Sequence, residues 1–210
     1  MAIVGWEKKY SEIIREFNYN EQQDYESAIL LNFILKNPTP LKKIRKIISR
    51  KSVFVIGAGP SLSASIPILK KFPKIPKIVA DSAVKPMFEN NIKFDILVTD
   101  LDGDEKLLKK IGKTNSIFVT HAHGDNIAKL QLIENFKNCL GTTQTKPLGK
   151  IQNFGGFTDG DRCVFLANYF GAKNIILFGM DFGKIIGKYS ETKKSEKNIK
   201  IKKLRQAKKL

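Results

Sequence analysis

SVFVIGAGPSL, residues 52–62, contains three structural signals in succession. Its first half is an apolar, β-branched run that is typical of a buried strand. Gly57 and Gly59 then form a turn in which the backbone can approach a ligand closely. The residues that follow carry a helical pattern, for which Ser61 is a suitable N-cap. A strand, a glycine-rich turn and a helix in this order predict one element of an α/β fold.

Strand-like runs continue to alternate with helical patterns on the C-terminal side of this stretch. The strand-like runs are VFVIG, KIVA, FDILVT, SIFVT and NIILFG. The helical stretches are 61–72, 82–90, 104–111, 125–136 and 159–170. This alternation predicts right-handed crossovers and an α/β fold with a mostly parallel, Rossmann-like sheet flanked by helices.

The N-terminal side of the chain has a different pattern. Apolar residues recur there at three- and four-residue steps, which predicts helices. Asn37-Pro38-Thr39-Pro40 interrupts this pattern before another helical segment begins at Leu41. We therefore divide the chain into an N-terminal helical segment at 1–50, an α/β catalytic domain at 51–187 and a basic C-terminal tail or helix at 188–210.

The composition is that of a globular protein, since 42% of the 210 residues are hydrophobic and 27% are charged. No apolar run approaches the roughly 20 residues needed to cross a bilayer, and the N-terminus lacks the pattern of a signal peptide. Cys139 and Cys163 show no metal-binding or redox spacing. These features predict a cytoplasmic protein without a membrane partner, whose thiols are reduced and structural.

The net charge of +17 is concentrated in two segments. Residues 184–210 contain eleven basic and two acidic residues, and residues 41–51 contain six basic residues and no acidic one. Basic helices can bind nucleic acid or polyphosphate, and they can equally be solvated faces. Because Tyr189 is the only aromatic residue in the basic tail, nucleic-acid binding is kept as an alternative function and is not favoured.

Polar clusters follow each predicted strand, at the end where parallel sheets place their ligands. The acids after two consecutive strands are Asp81, Asp100, Asp102 and Asp104. If the strand FDILVT continued past residue 99, its period of two would place the last three on one side. Carboxylate oxygens are the ligands that Mg²⁺ prefers, so these acids predict a magnesium site. A surface turn rich in Asp and Gly is the alternative.

The glycine-rich turn suits an anion, because N–H groups at the start of the next helix favour negative charge. The full dinucleotide fingerprint is G-x-G-x-x-G, and Leu62 stands where its third glycine should be. The sequence therefore predicts a general phosphate or nucleotide loop here. A tight strand–helix turn without a ligand is the alternative.

His121 and His123 are the only histidines of the chain, and on a strand they would share a face. A zinc site would need further ligands, and the surrounding acids favour magnesium instead. The histidines could bind phosphate or relay a proton. Asp125 fits the N-cap of the next helix, and it could alternatively bind a metal or a ribose.

Three further polar residues occur at the start of the helix predicted at 159–170. Asp159 and Asp161 lie in its first turn, where the helix dipole favours acids. Arg162 could bind a phosphate with two hydrogen bonds.

Asp181 follows the last predicted strand, where its carboxylate could accept two N–H bonds from a heterocycle or act as a cap.

Part of this sequence resembles the thiamine pyrophosphokinases. The resemblance covers IVADSAVKPMFENNIKFDILVTDLDGD, residues 78–104. That family has paired glycines where this chain has Ser82 and Ala83, and a serine where it has Gly103. These departures concern the thiamine enzyme's own pattern, so a thiamine pyrophosphokinase is kept as an alternative function and is not favoured.

The motifs GAGPSL, ADSA, TDLDGD, THAHGDN, GGFTDGDR and LFGMDFG occur in this order between residues 52 and 183. Together they resemble the archaeal 6-hydroxymethyl-7,8-dihydropterin pyrophosphokinases of the MptE type. The resemblance implies transfer of a diphosphate from ATP to the hydroxymethyl group of a pterin alcohol, with release of AMP, in the biosynthesis of pterins such as methanopterin. A glycosyltransferase that uses a nucleotide sugar is the alternative from the same wider family.

The resemblance also implies roles for the polar residues. The residues expected to bind Mg²⁺ are Asp81, Asp100, Asp102 and Asp125. Those expected in catalysis are Asp100, Asp102, His123 and Arg162. Those expected to bind the nucleotide are Gly57, Gly59, Pro60, Ser61, Asp125 and Asn126. Those expected to bind the pterin substrate are Asp159, Asp161 and Asp181. The sequence does not fix the oligomeric state, and a homo-oligomer is compatible with it.

Overall fold

A computed structural model describes residues 5–190 and 192–210. Residues 1–4, which begin the predicted N-terminal segment, and residue 191 of the predicted tail lie outside the described residues. In this described part the α-helices are α1 (Trp6–Phe17), α2 (Glu21–Ile34), α3 (Leu41–Ile48), α4 (Leu62–Lys71), α5 (Val84–Glu89), α6 (Glu105–Gly112), α7 (Asp159–Tyr169) and α8 (Lys197–Lys209). In addition, 3₁₀ helices cover Asp81–Ala83, Gly124–Asn135 and Lys194–Glu196.

The strands form a six-stranded parallel sheet in the order β5-β4-β3-β2-β1-β6. They are β1 (Ser52–Ile56), β2 (Lys77–Ala80), β3 (Ile96–Thr99), β4 (Ile117–Ala122), β5 (Cys139–Thr143) and β6 (Asn174–Phe178). The predicted α/β fold with a parallel sheet and flanking helices is therefore confirmed. The sequence did not predict β5, because CLGTT is a short run that contains a glycine and two threonines.

The sheet changes direction beside its first strand. The chain places β2 and β3 successively on one side of β1, and α7 then leads to β6 on the other side. The register pairs Ile56 of β1 with Phe178 of β6. The loops that follow β1 and β6 are therefore neighbours at a topological switch point, which is where open α/β sheets bind their ligands.

Residue contacts divide the chain into two compact units. The first unit contains the chain up to Pro40 together with Thr99–Gly155. The second unit contains Leu41–Val98 together with Gly156–Leu210. In the first unit α2 packs against β5 and the 3₁₀ helix Gly124–Asn135. In the second unit α7 packs against β1 and β2.

One predicted helical segment differs from expectation in its helix type, and the predicted tail contains a helix. The segment predicted as a helix at 125–136 is the 3₁₀ helix Gly124–Asn135, whose tighter turns give poorer hydrogen-bond geometry. The basic tail contains α8, which packs against α7 and buries Gln206 and Ala207. Among the described residues no helix combines the length and the apolar character that a bilayer crossing requires.

Candidate functional site

The loop after β3 does not continue the strand. Leu101 has a φ of +67°, a left-handed conformation that a leucine rarely adopts. Its N–H donates to Thr99 Oγ1 at 2.8 Å, and its side chain is buried. The prediction that Asp100, Asp102 and Asp104 lie on one side through strand periodicity is therefore wrong, because the chain turns at Leu101.

Asp104 has a structural role. Its carboxylate caps α6 by accepting hydrogen bonds from the backbone N–H groups of Lys106 at 2.9 Å and Leu107 at 3.1 Å. An acid at this position also interacts favourably with the helix dipole. The Asp-rich run after β3 therefore combines one helix cap with two acids that are not used in this way.

Four carboxylates are suited to hold a metal ion together. Each offers one oxygen, and these oxygens lie within 4.8 Å of one another; the residues are Asp81, Asp100, Asp102 and Asp159. Three of them were predicted as magnesium ligands. The fourth predicted ligand, Asp125, is not in the group, and its side chain is 79% exposed. Asp159, predicted to bind substrate, is the additional member.

The position of Asp81 follows from the sheet. Asp81 comes directly after β2, whose last residue, Ala80, pairs with Val98 of β3. The carboxyl ends of parallel strands lie at one edge, so Asp81 lies at the same edge as the end of β3. Its side chain is only 1% exposed. A buried carboxylate is costly unless a cation or hydrogen bonds compensate its charge, which makes the group suitable for a divalent ion.

The two histidines lie at the end of β4. His121 is buried, and its Nδ1 lies 3.2 Å from Thr142 Oγ1. His123 Nε2 lies 3.4 Å from Asp100 Oδ2. His123 Nδ1 accepts a hydrogen bond from the Asp125 N–H at 3.2 Å, so His123 is the N-cap of the 3₁₀ helix. The prediction of Asp125 as N-cap is wrong by two residues. Because Nδ1 accepts, the proton of a neutral ring is on Nε2 and points towards Asp100.

Asn126 connects the loops that carry these residues. Its Nδ2 donates to the carbonyl oxygens of Asp100 and His121, both at 2.7 Å. Its Oδ1 accepts from the His123 N–H at 3.0 Å and from Ser27 Oγ at 3.4 Å. Asn126 was predicted to bind the nucleotide. In the structure its amide, which has two donors and two acceptor positions, makes these contacts within the protein, and the nucleotide-binding role stays a prediction.

The glycine-rich turn after β1 packs tightly against the loop after β6. A Cβ atom at Gly59 would lie 2.6 Å from the backbone carbonyl oxygen of Gly179 and would also clash with Asp181 Oδ2, so this position requires glycine. The N–H groups of Gly57 and Gly59 donate to the carbonyl oxygens of Phe178 and Gly179 at 2.9 and 2.7 Å. These donors therefore hold the two loops together.

Ser61 and Asp181 complete this contact. Asp181 Oδ2 accepts from the backbone N–H of Ser61 at 3.0 Å and from its hydroxyl at 2.8 Å. The Ser61 side chain makes no cap hydrogen bond to α4, so Ser61 is not a side-chain N-cap as the sequence suggested. The Asp181 carboxylate lies instead at the start of that helix, where a negative charge is favourable.

Two neighbouring acids at the start of α7, Asp159 and Asp161, have different contacts. Asp161 is buried and accepts from the N–H groups of Phe157 and Thr158, both at 2.6 Å, and from the Thr158 hydroxyl. Burial raises the pKa of the Asp161 carboxyl, although these hydrogen bonds and the charge of Arg162 act against the rise. Asp159 Oδ1 accepts from Arg162 Nη1 at 3.0 Å. Asp161 therefore closes a capping box, whereas Asp159 and Arg162 form an ion pair.

One buried acid near the site was missed by sequence reasoning. Asp24 of α2 is 4% exposed, and its Oδ1 accepts from the Gly124 N–H at 2.8 Å, next to His123. No motif marks this residue, because the contact joins positions 100 residues apart. The place of Asp159 in the acidic group could have been anticipated more easily. Thr158-x-x-Asp161 is a capping pattern, which assigns Asp161 to the helix cap and leaves Asp159 as the other acid of that turn.

Comparisons with known proteins agree with one another. A family model described as 6-hydroxymethylpterin diphosphokinase MptE-like matches residues 28–187. The 6-hydroxymethyl-7,8-dihydropterin pyrophosphokinase of Methanocaldococcus jannaschii is 46% identical and aligns with 100% of this chain and 94% of its own length. The proteins of the same name from Pyrococcus furiosus and Methanothermobacter thermautotrophicus are 44% and 38% identical, over 89% and 90% of this chain and 80% and 83% of their own.

A solved structure resembles the fold. The Maf glycosyltransferase from Magnetospirillum magneticum superposes with a TM-score of 0.58 at 15% sequence identity. The match covers 77% of this chain and 28% of that one. At this identity the likeness concerns the fold alone.

Proposed function

The chain belongs to the MptE-like family, and we infer that it is a 6-hydroxymethyl-7,8-dihydropterin pyrophosphokinase. This inference rests on three relatives of that name, which are 38–46% identical over most of the chain. The protein is then an enzyme, a diphosphotransferase that acts on the hydroxymethyl group of a dihydropterin. The thiamine and nucleotide-sugar alternatives are not favoured by these relatives.

We propose ATP as the diphosphate donor. The hydroxymethyl oxygen of the pterin forms a bond to the β-phosphorus, the bond from that phosphorus to the α-phosphate oxygen breaks, and AMP leaves. The hydroxymethyl proton is lost in the same reaction. Such a transfer depends mainly on alignment of the two oxygens and on compensation of negative charge, so it needs no covalent intermediate with the protein.

We propose that Asp81, Asp100, Asp102 and Asp159 hold Mg²⁺. The fit rests on the donor set, since the ligand oxygens of four carboxylates lie within 4.8 Å and one of these side chains is almost fully buried. When bound, the ion neutralises phosphate charge and orients the transferred group. Arg162, held by Asp159 at 3.0 Å, presents a guanidinium suited to the remaining phosphate oxygens.

His123 has a proposed role beside Asp100. Its Nε2 lies 3.4 Å from Asp100 Oδ2, and its Nδ1 is occupied by the Asp125 N–H. The ring is therefore oriented to hold one oxygen of Asp100, and we propose that the carboxylate also binds the cation. In metal sites, such a partner fixes the direction of the ligand as well as its charge.

For the pterin ring we propose Asp181. Its carboxylate has about four acceptor positions, and the Ser61 N–H and hydroxyl occupy two of them. The remaining positions suit the adjacent N–H and amino donors of a pterin. Because Ser61 and the glycine-rich turn hold this loop, the carboxylate is fixed before the ligand arrives, which favours selective binding.

The direct test is product analysis. The protein is mixed with ATP, Mg²⁺ and 6-hydroxymethyl-7,8-dihydropterin, and the products are identified by mass spectrometry. We expect the pterin diphosphate ester and AMP in equal amounts, and no AMP when the pterin is omitted. Absence of the ester under these conditions, with the protein folded, would contradict the proposed function.

A further inference from the structure

The helix α2 contacts the loop after β4 through a buried acid. Asp24 Oδ1 accepts from the Gly124 N–H at 2.8 Å, while its Oδ2 accepts from the Tyr10 hydroxyl at 2.7 Å and Gln144 Nε2 at 2.6 Å. Three hydrogen bonds fix both oxygens of this carboxylate. Hydrogen bonds to a charged acceptor are about twice as strong as those between neutral groups. Gly124 is thereby held at a defined place beside His123.

Gly124 also lacks the space for any other residue. A Cβ atom there would lie 2.8 Å from Gln23 Cβ, on the same turn of α2 as Asp24. Contacts this short do not occur between real carbon atoms, so a side chain at 124 would push the loop away from α2. The close approach and the hydrogen bond therefore both hold the loop after β4 against α2.

Asn126 extends this support to the acidic loop after β3. One side-chain amide binds the carbonyl oxygens of Asp100 and His121 and the N–H of His123. It therefore fixes the backbone of an acid of the proposed cation site, of the histidine that contacts this acid, and of the strand end between them. Asn126 is 3% exposed, and all its donors and acceptors face protein atoms.

We propose that Asn126 is a positioning residue for Asp100 and His123, and that Asp24 is the anchor that connects this arrangement to α2. Neither side chain needs to touch a substrate. For the reaction, the proposal rests on the proposed function. For cation binding it does not, because the place of the Asp100 carboxylate can be tested with the metal alone.

The main test substitutes Asp for Asn126. Asn126→Asp keeps the size and both acceptor contacts, but it removes the two donors and places negative charge against two carbonyl oxygens. We expect Mn²⁺ binding to the substrate-free protein, followed by electron paramagnetic resonance, to weaken about tenfold or more. We expect kcat to fall about a hundredfold, while KM for ATP and for the pterin changes by less than about threefold.

A second pair of variants tests the anchor and remains informative if Asn126→Asp does not fold. Asp24→Ala removes the acceptor of the Gly124 N–H, and we expect Mn²⁺ affinity and kcat to fall about tenfold. Asp24→Asn retains an oxygen for that N–H, and its new amide can donate to the Tyr10 oxygen or to a rotated Gln144. It should therefore restore most of both quantities.

Tyr10→Phe is the matched control. It removes one hydrogen bond from Asp24 and leaves the bond to Gly124 in place. If Asp24 contributed to stability alone, Tyr10→Phe and Asp24→Ala would be alike in catalysis and in Mn²⁺ binding. The two variants would then differ only in their melting temperatures.

The outcomes separate this proposal from the proposed function. A parent protein that forms no pterin diphosphate ester contradicts the function, and the Mn²⁺ measurements still decide the positioning roles. Folded Asn126→Asp and Asp24→Ala variants with Mn²⁺ affinity and kcat within about twofold of the parent would overturn the proposal. Equal losses in Asp24→Ala and Asp24→Asn would overturn the role of the anchor.

Discussion

The two units of the chain differ sharply in charge. The first unit has twelve basic and twelve acidic residues, whereas the second has twenty-five basic and eight acidic ones. The whole excess of +17 therefore belongs to the second unit, which contains both α3 and α8. The difference indicates that the high isoelectric point is a regional property. A positive region would accelerate the approach of a polyanionic substrate such as the proposed ATP, whereas the first unit, with equal numbers of basic and acidic residues, adds no net charge to such steering.

The largest effect is expected from removing an acid of the neutral unit that belongs to the proposed cation site. We expect Asp100→Asn or Asp102→Asn to lower kcat about a hundredfold or more, because each removes one charge from the proposed cation site. The measurement is steady-state kinetics with Mg²⁺ titrated at saturating substrates. Circular dichroism checks that the fold is retained.

Asp104→Asn is the control for these variants. It lies in the same acidic run, but Asp104 caps α6, and Asn is an equally good cap. Its activity and melting temperature should stay close to those of the parent. Equal losses in all three variants would show that the acidic run acts only through local structure.

Asp181 is an acid of the basic unit, and its removal tests whether a single negative charge there has a specific purpose. We expect Asp181→Ala to weaken pterin binding about tenfold or more, since the donors of the ring lose a charged acceptor. ATP binding should change much less. Calorimetric titration of each ligand alone measures both affinities. An equal loss for both ligands would instead show that Asp181 acts by ordering the glycine-rich turn.

Charge reversal on α8 tests the basic unit directly. We expect Lys197→Glu, Lys202→Glu and Lys208→Glu together to raise KM for ATP about two- to fivefold at low salt, because steering by the unit weakens. The exposed Lys106, Lys113 and Lys129 of the neutral unit provide the matched triple reversal. A similar effect of both triples, or an effect that persists at about 0.5 M salt, would contradict steering by a regional field.

The smallest effect concerns the alkaline limit of the neutral unit. Burial, and then the hydrogen bond to Asp24, raise the pKa of Tyr10 well above its usual value. The neutral phenol is therefore favoured in the folded state, and its stabilisation is complete below pH 10 and is lost as the pH rises above it. The loss amounts to about 1.4 kcal/mol per pH unit for this one group.

Tyr10→Phe makes this contribution measurable. At pH 7 the variant should be less stable than the parent by about 1 kcal/mol, because one hydrogen bond is removed. The difference in unfolding free energy from urea titrations should narrow between pH 10 and pH 11. A constant difference across this range would show that Tyr10 titrates normally in the folded protein.

Much of the fold could be predicted because its signals are local. The runs VFVIG, KIVA and NIILFG are apolar and short, and each ends in glycine or is followed by an acid. The strand Cys139–Thr143 gave no such signal, since its glycine and threonines suit a turn as well as a strand. Its pairing with β4 is decided by tertiary contacts. The 3₁₀ character of Gly124–Asn135 was hidden for the same reason, because helical periodicity does not separate the two helix types.

The site was predictable where residues follow strands and unpredictable where the chain turns. Asp81 and Asp100 were placed by the end of a strand, but the left-handed Leu101 changes the direction of every later residue in that loop. The acidic group contains Asp159 and not the predicted Asp125. This difference depends on which acids already cap helices, and those contacts are visible only in the folded chain. The support from Asp24 depends on contacts across the first unit, which a single sequence does not reveal.

The division of each unit into two distant stretches has a consequence for synthesis. Trp6 of α1 donates its indole N–H to the carbonyl of Gln144, a residue 138 positions later. At translation rates of about 5–20 residues per second, the ribosome releases α1 on the order of ten seconds before this partner emerges. The apolar faces of α1 and α2 are therefore exposed to solvent on the nascent chain during this time, and chaperones can bind them. Nascent chains that end before Gly155 should accordingly be the ones that chaperones retain and proteases remove.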